Sequence, residues 1–134
     1  MNYSINMLAV LVAGIVHMGL GAIWYRLWQK TWLNLVARPS ENLEKTNASN
    51  SNYAIAMLNA LVIAYVLSQV IAAVNPYTFM QSITVGAMCW FGFVATTMLT
   101  TTLFANRPKK LFIIDSVYYL LSFIIMSGIY AYWL

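Results

Sequence analysis

The chain has 134 residues, 62% of them apolar and 7% charged, with a formal net charge of +4 and a mean hydropathy of +0.73. Soluble domains carry about 25% charged residues, so a water-soluble fold is excluded and no room is left for a separate soluble domain. The positive charge is not a nucleic-acid footprint, because the basic residues fall in two short loops and form no stripe on a folded face.

Met1-Asn2-Tyr3-Ser4 has no positive residue and does not read as the start of a cleavable signal peptide. The apolar run from Ile5 to Leu27 is long enough to cross ~30 Å of hydrocarbon at about 1.5 Å per residue. Near its end Trp24, Tyr25, Trp28 and Trp32 interleave with Arg26 and Lys30, the pattern of a transmembrane helix meeting a membrane surface. Residues 28–52 break the apolar pattern. Within them Trp28, Trp32, Leu35 and Val36 fall at i, i+4, i+7 and i+8, which gives a short helix one apolar face to lay along the interface. Ser40 before Glu41 caps a second short turn, and Asn47-Ala48-Ser49 fits a glycosylation sequon by chance, since this loop is expected in the cytoplasm.

A second helix is expected over 53–74, stopped by the turn-forming pair Asn75-Pro76. The short connection makes an antiparallel hairpin with a third helix over 79–104. That helix carries Thr96, Thr97, Thr100, Thr101 and Thr102, which can return their hydroxyls to the preceding turn and let helices approach closely. A polar turn over 105–111, holding Asn106-Arg107-Pro108-Lys109-Lys110, leads to a fourth helix over 112–133. The fold expected is all-α: one transmembrane domain over 1–134, an integral membrane four-helix bundle.

Four spans put both termini on one side. Arg26, Lys30, Arg38 and Lys45 lie in or beside the first loop, Arg107, Lys109 and Lys110 beside the third, and no basic residue beside the second. The positive-inside bias therefore puts loops 28–52 and 105–111 in the cytoplasm and both termini on the non-cytoplasmic side. Tyr3, Tyr77, Tyr130, Tyr132 and Trp133 then form an outer aromatic belt, and Trp24, Tyr25, Trp28 and Trp32 an inner one. Tyr65-Val66-Leu67-Ser68-x-Val70-Ile71 and Tyr119-Leu120-Leu121-Ser122-x-Ile124-Ile125 match in type and depth order, which suits two tandem hairpins, although apolar helices share vocabulary without shared history.

Ionisable groups within a span are costly, so each is a functional candidate by default. Only His17, Arg26 and Asp115 qualify. Arg26 and Asp115 sit at matching depth, and an ion pair between them, or between Asp115 and a basic residue of the loops, is expected. Two readings stand: a proton or cation site, or a structural clasp with Asp115 favoured near its own helix N-terminus. His17 lies near mid-membrane and needs a partner, for which Tyr65, Ser122 or a threonine of the third helix is available.

His17, Gly21, Trp24 and Trp28 share one helix face, and Gly86, Trp90, Phe93 and Thr97 repeat the arrangement on the third helix. Each glycine makes a notch beside bulky rings, either a packing groove or the wall of a ligand pocket. One histidine with no acidic residue at its level makes no metal or haem constellation, so no metal or cofactor is expected. Cys89, the single cysteine, is read as a small packed residue, and the eight methionines as adaptable fillers. No serine-hydrolase elbow, phosphate-binding loop, paired carboxylates within a span or His/Cys cluster marks an enzyme.

Three blocks carry a family resemblance. The first is Gly21, Trp24 and Tyr25 followed by Trp28 and Trp32. The second is Trp90-Phe91-Gly92-Phe93-Val94 running to Leu103-Phe104, Arg107, Lys109 and Leu111-Phe112. The third is Ile114-Asp115 with Tyr118-Tyr119, Met126, Gly128 and Trp133. Together they resemble DUF1761, a family of small bacterial membrane proteins. The resemblance implies a four-helix integral membrane protein and no activity, since the family has none assigned. The function expected is a non-enzymatic module in the bacterial inner membrane that contacts lipid, self-associates or joins another membrane protein, or binds an apolar ligand. The alternative is a small oligomeric transporter or channel with His17 and Asp115 in a proton or ion path.

Overall fold

The computed structural model describes residues 5–36 and 50–133. Over these it is all-helical: α1 (Met7–Leu27), α2 (Gln29–Val36), α3 (Asn50–Val74), α4 (Phe79–Cys89), a π-helical segment (Trp90–Ala95), α5 (Thr96–Phe104) and α6 (Lys109–Trp133). α4, the π segment and α5 run on without a break. Four rods are therefore long and apolar enough to cross a membrane: Met7–Leu27, Asn50–Val74, Phe79–Phe104 and Lys109–Trp133. The Tyr3 belt position, Arg38, the Ser40 cap, Lys45 and the Asn47-Ala48-Ser49 sequon lie outside the described residues, as do the side chains of Leu35 and Val36.

Local chemistry sets the helix ends. Asn6 interrupts the first apolar run, and its side-chain oxygen accepts from the Leu8 and Ala9 amides at 3.0 and 3.4 Å. Helix α1 therefore starts at Met7, capped by Asn6, two residues inside the expected boundary. Helices α3 and α6 begin earlier than their apolar runs, at Asn50 and Lys109 rather than about Tyr53 and Phe112. Polar side chains suit a first turn that meets water, and Pro108 at the entry of α6 has its φ preset for a helix. Its carbonyl accepts from the amides of Leu111 and Phe112. Lys109 and Lys110 thus belong to the first turn of α6, not to a loop reaching residue 111. Helices α3 and α5 both end on an asparagine with φ of 53°, Asn75 and Asn106. At the second of these the Arg107 amide reaches back to Thr102 O at 3.0 Å, a left-handed cap that fixes the turn.

Helix α6 is the centre of the arrangement. It packs on α1, on the rod formed by α4 and α5, and on α3, while α1 also lies along α3. Contacts between Asn6 and Trp133 at one end, and Tyr25 and Asp115 at the other, make α1 and α6 antiparallel. Ala9, Ala13 and Ala64, each with no exposed surface, bring α1 and α3 close, and Leu67, Ile71, Phe123 and Met126 fill the space against α6. Tyr130 is not a belt residue. It is buried, and its hydroxyl donates to Ala64 O at 2.6 Å. Tyr77 and Tyr132 are 91% and 84% exposed.

The π segment has a positional consequence. Ser82, Gly86, Ala95 and Thr102 are the buried residues of this rod. Nine residues separate Gly86 from Ala95, about two and a half turns at ~3.6 per turn, which would put them on opposite faces of a regular helix. The wide turn absorbs an extra residue and returns Ala95 and Thr102 to α6.

Candidate functional site

His17, Tyr25, Asp115, Tyr118 and Ser122 meet on one seam between α1 and α6. His17 is 5% exposed. Its Nδ1 meets Ser122 Oγ, and its Nε2 lies 3.1 Å from Tyr118 Oη. Tyr118 Oη also donates to His17 O at 2.9 Å. The pattern closes with one tautomer: Ser122 donates to Nδ1, Nε2–H donates to Tyr118, and the Tyr118 hydroxyl donates to the His17 carbonyl. Every polar atom of a neutral imidazole is then occupied. Tyr65 faces outward instead, 44% exposed.

Gly21 explains how Tyr118 gets there. It stands one turn beyond His17, and a methyl group on it would lie 2.8 Å from Tyr118 Oη and 3.1 Å from its Cζ. The notch read in the sequence beside Trp24 is therefore filled by the Tyr118 ring, and the groove is a packing surface. Tyr118 also packs against Tyr119, the rings tilted by 53° with centroids 4.9 Å apart, and meets Tyr25 edge-on at 5.4 Å.

Asp115 lies just under one turn from Tyr118, three residues at ~3.6 per turn, toward the end where α2 and the Arg107 turn sit. Its Oδ1 accepts from Tyr25 Oη at 2.6 Å and from Trp32 Nε1 at 3.3 Å. The expected ion pair with Arg26 does not form. Among the described residues none reaches salt-bridge distance, and Arg26 is exposed. Neighbouring helix positions point about 100° apart, so with Tyr25 turned to α6, Arg26 is turned away from it. Trp24 donates its indole N–H to Ile114 O at 3.0 Å, while Trp28, 39% exposed, lies tilted against Trp24 with centroids 6.0 Å apart.

Trp90 joins from the other side of α6. Its Nε1 donates to Ser116 O at 2.8 Å, so Trp24 and Trp90 grip the same stretch of α6 from two neighbours. The second glycine–aromatic face read in the sequence does not persist. Gly86 and Trp90 face α6, but Phe93 is 75% exposed and Thr97 is exposed as well, because the π segment shifts the register after Trp90.

A cleft of about 160 Å³ opens between α5 and α6, lined by Asp115, Arg107, Thr97, Thr101 and Thr102 with Met98, Leu111 and Phe112. It does not reach His17. Residues Tyr25, Trp32, Arg107 and Tyr118 are the members that sequence reasoning missed. One signal was present: Asp115, Tyr118 or Tyr119, and Ser122 recur at helical spacing on α6. No three His, Cys, Asp or Glu side chains among the described residues gather as a metal site would need.

No curated protein and no solved structure matches the chain. A family model described as a protein of unknown function matches residues 8–131, nearly the whole chain, and the protein belongs to that family, DUF1761.

Proposed function

We propose that the protein is a non-enzymatic membrane module that works by association within the bilayer, through the open face of its third span. The observation that carries this is how little of Phe79–Phe104 the chain itself covers: 6% of that span's most apolar window is buried, against 28–44% for the other three. On the open face Thr96 Oγ bonds to Gly92 O at 2.7 Å and Thr100 Oγ to Thr96 O at 3.0 Å, so Gly92, Thr96 and Thr100 form one line. A methyl group on Gly92 would meet nothing within 4 Å. A line of small residues, with hydroxyls already satisfied, lets a second helix come close to the backbone, and flanking Met88, Phe91 and Leu99 supply contact area. A second copy or another membrane protein fits such a face.

Lys30, Arg107, Lys109 and Lys110 gather at one end of the described structure, which supports a membrane orientation with that end in the bacterial cytoplasm and both termini outside. Reporter fusions at each terminus test it. For the association, Gly92→Leu is expected to turn an oligomer in mild detergent or nanodiscs into a monomer of unchanged helicity. Unchanged assembly in that variant overturns the proposal.

A second reading rests on a separate observation. The contacts Asp115–Tyr25–Tyr118–His17–Ser122 run without interruption from the basic end toward mid-membrane, as half of a proton path would. Its weak step is Tyr25 to Tyr118, an edge-on ring contact with no hydrogen bond between the hydroxyls. His17→Phe separates the readings: loss of proton flux in a well-folded protein supports the path, and unchanged flux removes it.

A further inference from the structure

The cleft between α5 and α6 joins two opposite charges that do not touch. Asp115 is held by α1 and α2: Tyr25 Oη and Trp32 Nε1 both donate to its Oδ1, using two of about four lone-pair positions of the carboxylate. Arg107 is placed by its backbone, whose amide bonds to Thr102 O at 3.0 Å one residue after the left-handed Asn106. Both residues line the cleft, yet they form no ion pair.

The threonines divide in a telling way. Thr96, Thr97 and Thr100 return their hydroxyls to carbonyls three or four residues back. The hydroxyls of Thr101 and Thr102, which line the cleft, have no hydrogen-bond partner among the described residues. Their hydroxyls are left for something in the cleft.

Charge decides what that something is. A bare cation drawn to Asp115 meets the Arg107 guanidinium in the same small space, and a bare anion drawn to Arg107 meets the carboxylate. A group with both charges satisfies both walls. Asp115 stands six residues into α6, about 9 Å from the helix start at ~1.5 Å per residue, the level where headgroups meet hydrocarbon. The volume, about 160 Å³, is well under the ~300–1,000 Å³ of drug-sized pockets and suits a headgroup rather than a whole molecule. We propose that this cleft binds a primary ammonium joined by a short linker to a phosphate, with the ammonium on Asp115, the phosphate on Arg107, and the Thr101 and Thr102 hydroxyls completing the site. The chemistry is that of an ethanolamine phospholipid headgroup or of its soluble counterpart. It is independent of association through the Gly92 face.

Native mass spectrometry of the full chain, titrated with equal amounts of phosphatidylethanolamine and phosphatidylglycerol, tests this. The wild type is expected to retain the ethanolamine lipid at least fivefold over the glycerol lipid. Asp115→Asn keeps an oxygen acceptor for Tyr25 and Trp32 and removes only the charge, and it is expected to abolish that preference. Arg107→Gln, on an exposed turn, and the isosteric Thr101→Val are expected to weaken it several-fold without touching the bundle core. Calorimetry with free phosphoethanolamine assigns the source: binding there alone points to a soluble ligand, binding of the lipid alone to a headgroup. The proposal is overturned if neither probe binds, if glycerol and ethanolamine lipids are retained equally, or if a folded Asp115→Asn protein keeps the preference.

Discussion

Along α1, helix α6 is held by side chains that reach across. Trp24 and Tyr25, joined by Trp32 of α2, donate to Ile114 O and Asp115, and Tyr118 and Ser122 close on His17. Along α4 it is held by side chains that are nearly absent. A methyl group on Gly86 would overlap Ser127 Oγ and stand 2.9 Å from Phe123 O, and Ser82 Oγ donates to Ser127 O at 2.7 Å. Between helices surrounded by lipid tails the hydrophobic effect gives no net drive, which leaves hydrogen bonds and close packing. The α1 seam of α6 rests mainly on the first, and the α4 seam mainly on the second, with the bond from Ser82 to Ser127 O beside the close approach. The consequence is a difference in how stability is spread: over several modest bonds on α1, and at one crossing on α4.

The crossing should be the more brittle. Gly86→Val is expected to cost about 2–3 kcal/mol, the range of overpacked cores, read as unfolding in a denaturing-detergent titration. Gly19→Val, at an exposed position of α1 where a side chain meets nothing within 4 Å, serves as the control and is expected to stay within about 0.5 kcal/mol. If the two glycines respond alike, the close approach does not hold α4 to α6.

On the α1 seam, Tyr118→Phe leaves Nε2–H and the extra bond to His17 O without a partner. The expected loss is about 1–2 kcal/mol, the cost of one buried polar group left unpaired. Gly21→Ala is expected to cost about 1 kcal/mol in the wild type by displacing Tyr118 Oη, and clearly less in the Tyr118→Phe background, where the atom nearest the new methyl group is gone. Strict additivity of the two would mean that Gly21 does not act through Tyr118. Trp32→Phe is smaller still, near the ~0.6 kcal/mol average of interhelical hydrogen bonds, because Tyr25 keeps its bond to Asp115.

Depth was legible in the sequence and rotation was not. The four spans follow from apolar length, which the bilayer enforces. His17 and Asp115 stand out because charged and imidazole groups are rare there. Choosing Arg26 as the partner of Asp115 used depth and charge alone, whereas the rotation of α1 turned Tyr25 to the carboxylate. The π segment Trp90–Ala95 contains no proline and left no mark in the apolar pattern, so Phe93 and Thr97 were assigned to a face they do not share with Trp90. The matched segments in α3 and α6 also differ in use: Ser68 Oγ returns to Tyr65 O of its own helix at 2.6 Å, while Ser122 meets His17. Similar words in two helices did not mean similar contacts.

Ser127 gives the finest test of the contrast. Its Oγ is buried and is the one such side-chain atom among the described residues without a hydrogen-bond partner. Its neighbour across the seam, Gly86, offers no side chain, and Ser82 uses the Ser127 carbonyl rather than its hydroxyl. An unpaired hydroxyl in an apolar seam contributes volume and no bond, so Ser127→Ala removes a polar liability at the cost of one small atom. The expected change is between zero and about 1 kcal/mol of added stability. A loss of 1 kcal/mol or more would mean that Oγ makes a bond in the membrane, and the α4 seam would then rest on hydrogen bonding as the α1 seam does. The same variant should also soften Gly86→Ala, since the first atom that the new methyl group meets is Ser127 Oγ. The remaining cost of Gly86→Ala in that background then measures the contacts with Phe123 O and with the Cβ of residue 127, both at 2.9 Å, the part of the crossing that no side-chain rotation can relieve.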